Sequence, residues 1–332
     1  MASPGWTQAE SPFHAGEQEV QARIGVREKM EQLGRRVVRD YLPEQHQDFY
    51  RLLPFLMVGM TDERGRPWVS VLTGLPGFIT APDSHHLRIA TQPLFGSPIA
   101  TQLRVGADIG ILGILPESRR RNRSTGQISE IDADGFTVAI AQTFGNCPQY
   151  IQTRDIEVLP DITQPQQEKL IESGDRLDHA AKALIAQADT LFIATVYDGG
   201  RDSPTFGADA SHRGGKPGFI RVEDDYTFIF PDFTGNFHFN TVGNILLNPK
   251  AGFLFIDFET RDLLYLTGQA EMIWDGDAVK AFVGAERFIR FHLEEWRRVK
   301  ASLPLQFRFG EYSPTLQHSG SWEQMDAILA AE

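Results

Sequence analysis

The tetrapeptide Pro-Gly-Phe-Ile occurs twice, at Pro76–Ile79 and at Pro217–Ile220, 141 residues apart. A repeat of that length is a domain's worth of chain, so the 332 residues read as two copies of one unit, not as one large core. In the first copy FLMVGMT from Phe55, the turn DERGRP and WVSVLTG from Trp68 read as a hairpin. LRIAT, a helix from Gly96 to Val105 and the apolar strand ADIGILGIL follow, then TGQISEID and GFTVAIAQT joined by a turn at Asp132 to Gly135. The second copy repeats that order: TLFIATV from Thr190, the turn YDGGRDSP, TFGADAS, KPGFIRV, YTFIFPD, a helix around Phe237 to Leu247, AGFLFIDF and LLYLTGQAEMI. Strands dominate both copies, which predicts a mainly β chain: antiparallel β-barrels with peripheral helices. Two such copies can pair face to face within one chain, as an intrachain pseudo-dimer.

The flanking segments read as helical cover. Val20, Ile24, Met30, Leu33 and Val37 are spaced for one face of a helix over residues 18–40, which Pro43 stops, and a second short helix covers Glu44 to Leu53. This arm is expected to cover a barrel, with His14 and Glu17 available for a polar contact. Asp155 to Asp175 is polar, and Arg176 to Ala188 predicts a helix leading into the second copy. Val279, Phe282, Ile289, Leu293 and Trp296 predict a long amphipathic helix over Asp277 to Ala301, followed by an extended tail, LPLQFRFGEYSP. The expected units are an N-terminal helical arm (1–54), a first barrel (55–160), a second barrel (161–275) and a C-terminal helix and tail (276–332).

Composition removes several function classes. The net charge is −12, with 44 acidic residues against 32 basic ones, which argues against nucleic acid as a partner. No apolar run approaches the ~20 residues of a membrane helix. The N-terminus lacks the basic-then-apolar order of a signal peptide, so a cytoplasmic protein is expected. The single Cys147 excludes an intrachain disulfide and a multi-cysteine metal site; it is either a buried or incidental residue or a thiolate whose base the sequence does not reveal. The histidines are scattered apart from His85-His86, and no GxSxG elbow or P-loop is present. No metal is expected.

The copies differ where chemistry would lie. Before the second Pro-Gly-Phe-Ile stand His212, Arg213, Gly214, Gly215 and Lys216, whereas the first copy has the uncharged Leu72, Thr73, Gly74 and Leu75. Thr234, Gly235 and Asn236 then precede a helix whose free N–H groups would face an anion. The first copy instead has Arg119, Arg121 and Arg123 on one strand face, which repel one another unless an anion or carboxylates sit among them. A solvated edge strand is the competing reading. If the copies pair across a pseudo-twofold axis, the arginines of copy one complete the cradle of copy two, giving one composite phosphate site.

Copy two, from GADASHRGGKPGFIRV through FIFPDFTGNFHFNTVGNILLNPKAGFLFIDFE to LTGQAE, resembles the pyridoxamine 5'-phosphate oxidase-like family of FMN-binding split barrels. Copy one is similar through its strand order, ESRRRNRSTG and FGNCPQYI. The resemblance implies two tandem six-stranded antiparallel split barrels with FMN held between them and redox chemistry at the flavin. By position, Arg213, Gly214, Gly215, Lys216, Pro217 and Gly218 would run along the flavin ring and ribityl chain. Phe230, Pro231, Asp232, Phe233, Thr234, Gly235 and Asn236 would hold the ribityl and phosphate end, and Arg121 and Arg123 would approach the phosphate. Asn240 and Asn244 would line the site, or cap the helix or sit on the surface. The tryptophan and arginine motif by which the true oxidase closes over pyridoxal is not recognisable, so vitamin B6 oxidation is not expected.

The leading expectation is an FMN-dependent oxidoreductase acting on a small-molecule substrate or electron donor. His212 is the candidate proton shuttle, against the alternative that it hydrogen-bonds a strand neighbour. A non-catalytic module that binds or senses flavin, deazaflavin or haem is the alternative, and a degenerate duplicate serving as a scaffold is a third. A homodimer beyond the intrachain pair stays open.

Overall fold

The computed structural model describes residues 5–200 and 205–331; Arg201 to Pro204 of the turn YDGGRDSP lie outside the described residues. The arm folds as α1 (Ala15–Arg23), α2 (Arg27–Val37) and α3 (Glu44–Leu52). The single helix expected over 18–40 is two, because Gly25 takes a left-handed conformation (φ 73°) that turns the chain between them.

The first sheet contains β1 (Phe55–Thr61), β2 (Pro67–Thr73), β3 (Ile79–Asp83), β4 (His86–Ile89), β5 (Asp108–Leu115), β6 (Arg120–Asp132) and β7 (Gly135–Asn146), in the order β2-β1-β5-β6-β7-β4-β3. No helix forms between Gly96 and Val105. The chain makes successive turns there, with N–H groups of Ser97, Ala100 and Gln102 bonding three residues back, and Pro98 has no N–H to continue a ladder.

After β8 (Arg154–Val158), β9 (Ile171–Gly174) and α4 (His179–Gln187) comes the second sheet. It is built from β10 (Thr190–Tyr197), β11 (Gly207–Gly214), β12 (Arg221–Val222), β13 (Thr227–Phe233), β14 (Lys250–Ile256), β15 (Leu263–Ile273) and β16 (Ala285–Val299), with α5 (Asn240–Leu247) and α6 (Asp277–Ala281) between strands. Its order, β11-β10-β14-β15-β16-β13-β12, is that of the first sheet, strand for strand. The tail supplies β17 (Leu305–Phe309), which pairs with β8, and α7 (Trp322–Leu329).

The long helix expected over Asp277 to Ala301 does not exist beyond Ala281: residues 285–299 are β16, flanked by β13 and β15. The sheet therefore runs to Val299, past the boundary drawn at 275. A bulge explains the misreading. Thr267 faces Glu295 and Gly268 faces Leu293, so Glu294 is an extra residue that shifts strand parity. Leu293 and Trp296, three apart, then both turn inward, which imitates helical spacing. Gly268 is required at this bulge, since a side chain there would lie 2.1 Å from the His292 carbonyl oxygen. The first copy carries the same device at Thr125 and Gly126, where a side chain on Gly126 would lie 2.1 Å from the Ala139 carbonyl oxygen.

The ladders align the copies residue by residue. Gly59 pairs with Gly110 in one sheet and Ala194 with Gly252 in the other, so Gly110 and Gly252 are equivalent. At both, the backbones of the two barrels nearly touch. A side chain on Gly110 would lie 2.6 Å from the Asp209 Cα, and one on Gly252 would lie 2.2 Å from the Pro67 carbonyl oxygen. The first barrel's core continues across this contact into Phe192, Leu254, Ile256 and Tyr265. The second barrel has its own aromatic core, with Phe253 and Phe291 4.7 Å apart between ring centres. Among the described residues no helix is long and apolar enough to cross a membrane.

Phe291→Ala, which empties the middle of the second core, is expected to destabilise the fold by about 3–5 kcal/mol. Glu294→Ala at the exposed bulge should change stability by less than about 0.5 kcal/mol. Urea denaturation midpoints check both; equal effects would contradict the strand.

Candidate functional site: an anion cleft between the barrels

An open cleft with a volume of about 90 Å³ lies at the junction of the two barrels. The first barrel contributes Arg121 and Arg123 from β6, and Asn146, Gln149 and Tyr150 from the end of β7 and beyond. The second contributes Ser211, His212, Arg213 and Gly214 from β11, and Pro231, Asp232 and Phe233 from β13. Gly235, Asn236, Phe237 and Phe239 lead from there into the first turn of α5, where Asn240, Thr241 and Val242 complete the wall. The lining is composite because β11 crosses β5 and β6 at the Gly110 contact.

Positive charge dominates the cleft. Arg121 donates through Nε to the Cys147 carbonyl (2.8 Å) and through Nη1 to His212 Nδ1 (3.2 Å), and has no carboxylate partner among the described residues. Arg123 donates to Asn240 Oδ1 at 3.0 Å and pairs with Asp209. Its buried Nε has no hydrogen-bond partner among the described residues. Arg213 and Arg287 flank Asp232, each with Nε 3.2 Å from a carboxylate oxygen. Burial first, then the neighbouring Arg213, pushes Arg121 down to about 10 and Arg123 down to about 9. Burial pushes the Glu17 carboxyl up to about 8, so it is mostly uncharged near neutrality. Four guanidinium groups, of Arg121, Arg123, Arg213 and Arg287, then face two carboxylates, of Asp209 and Asp232, a surplus of two positive charges. Such a surplus among buried and half-buried groups is costly unless an anion joins it.

His212 is held well below its usual range by burial, then by Arg121, Arg213 and Arg154, and is neutral near pH 7. A guanidinium only donates, so Nδ1 accepts from Arg121 and Nε2 carries the proton. His238 lies between Phe13 and Phe144, with ring centres 5.4 and 5.0 Å away, and burial followed by Arg123 pushes it down to about 4.

Of the residues expected at the site, Arg121, Arg123, His212, Arg213, Gly214, Pro231, Asp232, Phe233, Gly235, Asn236 and Asn240 meet in this cleft. Others do not line it. His212, Arg213 and Gly214 belong to β11, and the turn proper is Gly215, Lys216, Pro217 and Gly218. There the Gly215 and Gly218 N–H groups bond the carbonyls of Asp189 and Ala186, and Lys216, Pro217 and Gly218 are exposed. Phe230 is in the second core, the Thr234 carbonyl accepts from the Tyr150 hydroxyl at 3.0 Å, and Asn244 donates to Thr195 at 2.9 Å. Arg119 lies before the strand in a left-handed conformation (φ 52°) and pairs with Glu311, so only Arg121 and Arg123 of the arginine run face the cleft. Sequence reasoning missed Asp209, Ser211, Thr241, Tyr150 and Arg287. Asp209 and Ser211 alternate with Arg213 on β11, a period-2 signal open to reading, whereas Arg287 sat in the segment taken for a helix.

At the equivalent junction on the other side of the pseudo-twofold, uncharged residues hold the positions of the cleft's basic ones. The ladders place Leu263 where Arg121 stands, Tyr265 for Arg123, Leu72 for Arg213 and Val71 for His212, all fully buried. Ser70 and Ser97 bond one another at 2.6 Å there, and Ile171 and Val299 press on Gly96. The arginine cluster has no counterpart on that side; the charge nearest Tyr265 is Arg297 of β16, which donates to the Gly96 carbonyl at 3.1 Å.

Residues 177–308 match the sequence model of the family described as pyridoxamine 5'-phosphate oxidase. The chain carries the split-barrel fold of that family. Solved structures similar to it include HupZ from Group A Streptococcus, 23% identical over 36% of this chain and 90% of that one, with a TM-score of 0.28. Another is a putative pyridoxamine 5'-phosphate oxidase from Lactobacillus delbrueckii, 16% identical over 37% of this chain and 94% of that one, TM-score 0.29. An FMN-binding protein from Syntrophomonas wolfei is 13% identical over 35% of this chain and 81% of that one, TM-score 0.26. No curated protein matches the chain.

The buried histidines set an acid limit on stability. His14, His46 and His238 are pushed down to about 4, chiefly by burial, and His212 is also lowered, so below pH 6.5 the unfolded chain binds protons that the folded chain refuses. Stability is therefore expected to fall as pH drops from about 6.5 to 4. Glu17, raised instead of lowered, works in the opposite direction as one group against four. Urea midpoints that stay flat across this range would contradict the neutral, buried state.

Proposed function

We propose that the cleft holds the phosphate end of FMN and that the protein is a flavin-dependent oxidoreductase acting on a small molecule. One observation carries this reading: the surplus of two positive charges among the buried and half-buried groups of the composite junction. A phosphate monoester brings about −1.5 to −2 charges at pH 7 and three strong acceptor oxygens, which is the complement this cleft lacks. Arg121, Arg123 and Arg213 would hold the phosphate as donors, together with the backbone N–H groups at the start of α5, where the helix dipole favours an anion. Phe233, Phe237, Phe239 and Tyr150 place aromatic faces and edges around the opening, suited to the flat remainder of the cofactor. Bound flavin supplies the hydride or electron transfer. In this reading His212, neutral and accepting from Arg121, orients that arginine and is not a general base.

The site favours flavin over haem, because the cleft-lining His212 accepts at Nδ1 from Arg121 and carries its proton on Nε2, which leaves neither nitrogen with a free lone pair for an iron. We propose also that the protein works in the cytoplasm with neither nucleic acid nor membrane as partner; its acidic balance of −12 supports the absence of a nucleic-acid partner. Because the mirror junction is filled, one FMN per chain is expected.

Purified protein should be yellow and titrate to one FMN per chain. Replacing both Arg121 and Arg123 by alanine should weaken FMN about a hundredfold or more, since each charge-assisted contact is worth about 1.5–3 kcal/mol. Lys216→Ala, at an exposed position off the cleft, should leave affinity within about twofold. Fluorescence titration measures all three; equal effects from Lys216 and from the arginine pair would sink the assignment, and two FMN per chain would overturn the single site.

A further inference from the structure

The N-terminal arm reaches the anion cleft from outside both barrels. Helix α1 packs on α5 where Gly16 meets Gly243: a side chain on Gly16 would lie 2.2 Å from the Gly243 carbonyl oxygen, and one on Gly243 would lie 2.5 Å from the Glu17 backbone nitrogen. That contact delivers the Glu17 carboxyl, 1% exposed, to the first turn of α5. Glu17 Oε1 accepts from Asn240 Nδ2, and Oε2 accepts from the His14 N–H at 2.8 Å. The other end of the same amide, Asn240 Oδ1, accepts from Arg123 at 3.0 Å. An amide has one donor end and one acceptor end, so fixing the donor on Glu17 keeps the acceptor on Arg123. Gln21, one turn further along α1, donates towards the Phe237 and His238 carbonyls at 3.4 Å and ties the same loop to the arm.

We infer that Glu17 is a positioning residue of the anion cleft: through Asn240 it holds the Arg123 guanidinium ready for a bound phosphate, and its own charge sets how strongly the cleft attracts that anion. This rests on the phosphate reading above. The groups around Glu17 are His14 on its own helix, stacked on Tyr197 of β10; Arg27 of α2; Arg123 of β6 with its partner Asp209 on β11; and Asn240 and Asn244 of α5. Burial is the largest influence and pushes the carboxyl up to about 8, while the His14 N–H, Arg123, Asn240 and Arg27 pull it down. His14, pushed down to about 4, stays neutral over the same range. Near pH 7 the two-charge surplus therefore stands. As pH rises through about 8, ionised Glu17 removes one of those charges.

The test titrates FMN, and riboflavin as the analogue without phosphate, into the full chain by flavin fluorescence from pH 7 to 9.5. Glu17→Ala frees the Asn240 amide and is expected to weaken FMN at pH 7 about tenfold, the scale of one hydrogen bond to a charged group, with riboflavin unchanged. Glu17→Gln keeps an acceptor without a charge. It should restore FMN binding at pH 7 and lose the decline centred near 8. An alanine variant that keeps the wild-type ratio of FMN to riboflavin affinity overturns the role of Glu17, as does a glutamine variant that keeps the inflection near 8. Should the alanine variant fail to fold, the glutamine profile alone decides. Wild-type protein with no preference for FMN over riboflavin overturns the phosphate reading itself, and that result precedes any substitution.

Discussion

The backbone contact between the barrels at Gly110 and Gly252 is the constraint on which the rest of the structure depends. With no side chain at either position, β11 can lie across β5, and β2 across β14, at a separation that any Cβ would prevent. This closeness lets the apolar core run from one barrel into the other, and it sets the arginines of β6 beside the basic end of β11. Neither barrel holds the cleft alone. Arg121 and Arg123 without Arg213 and α5 would be charges on a strand, and α5 without the arginines would be a helix end with weak attraction for an anion.

The electrostatics follow from that juxtaposition. Burial lowers the arginines and raises Glu17 for one reason, the cost of charge away from water, yet the outcomes differ in sign. Guanidinium groups start so far above neutrality that a drop to about 9 or 10 leaves them charged, whereas a carboxyl raised to about 8 becomes mostly neutral. The cleft therefore keeps its positive charges and silences one of its negative ones. Asp209 and Asp232 are each paired with arginine.

Much of the fold was legible in the sequence because the copies could be read against each other. Phe55–Thr61 as a strand and Arg121 and Arg123 on one face both follow from alternation. The failures have physical causes. One extra residue at Glu294 reversed strand parity and made β16 look helical, which also hid Arg287. Lys216 looked like a ligand by adjacency to Arg213, but β11 ends at Gly214 and the turn swings it into solvent. Glu17 could be named only as a polar contact, because its role depends on the Gly16–Gly243 contact between segments more than two hundred residues apart, and no local pattern encodes that.

The loss of charge at the mirror junction is as informative as the charge kept at the cleft. A buried guanidinium has a large desolvation cost that an anion offsets only when one is bound. At the mirror junction, Leu263, Tyr265, Leu72 and Val71 replace that cost with apolar burial and join the continuous core. The two junctions thus divide the work between them: one lends cohesion to the pair of barrels, and that cohesion lets the other hold a cluster of arginines that would otherwise push the barrels apart. A symmetric pair would have to carry the electrostatic cost twice, without the apolar burial of Leu263, Tyr265, Leu72 and Val71 to oppose it.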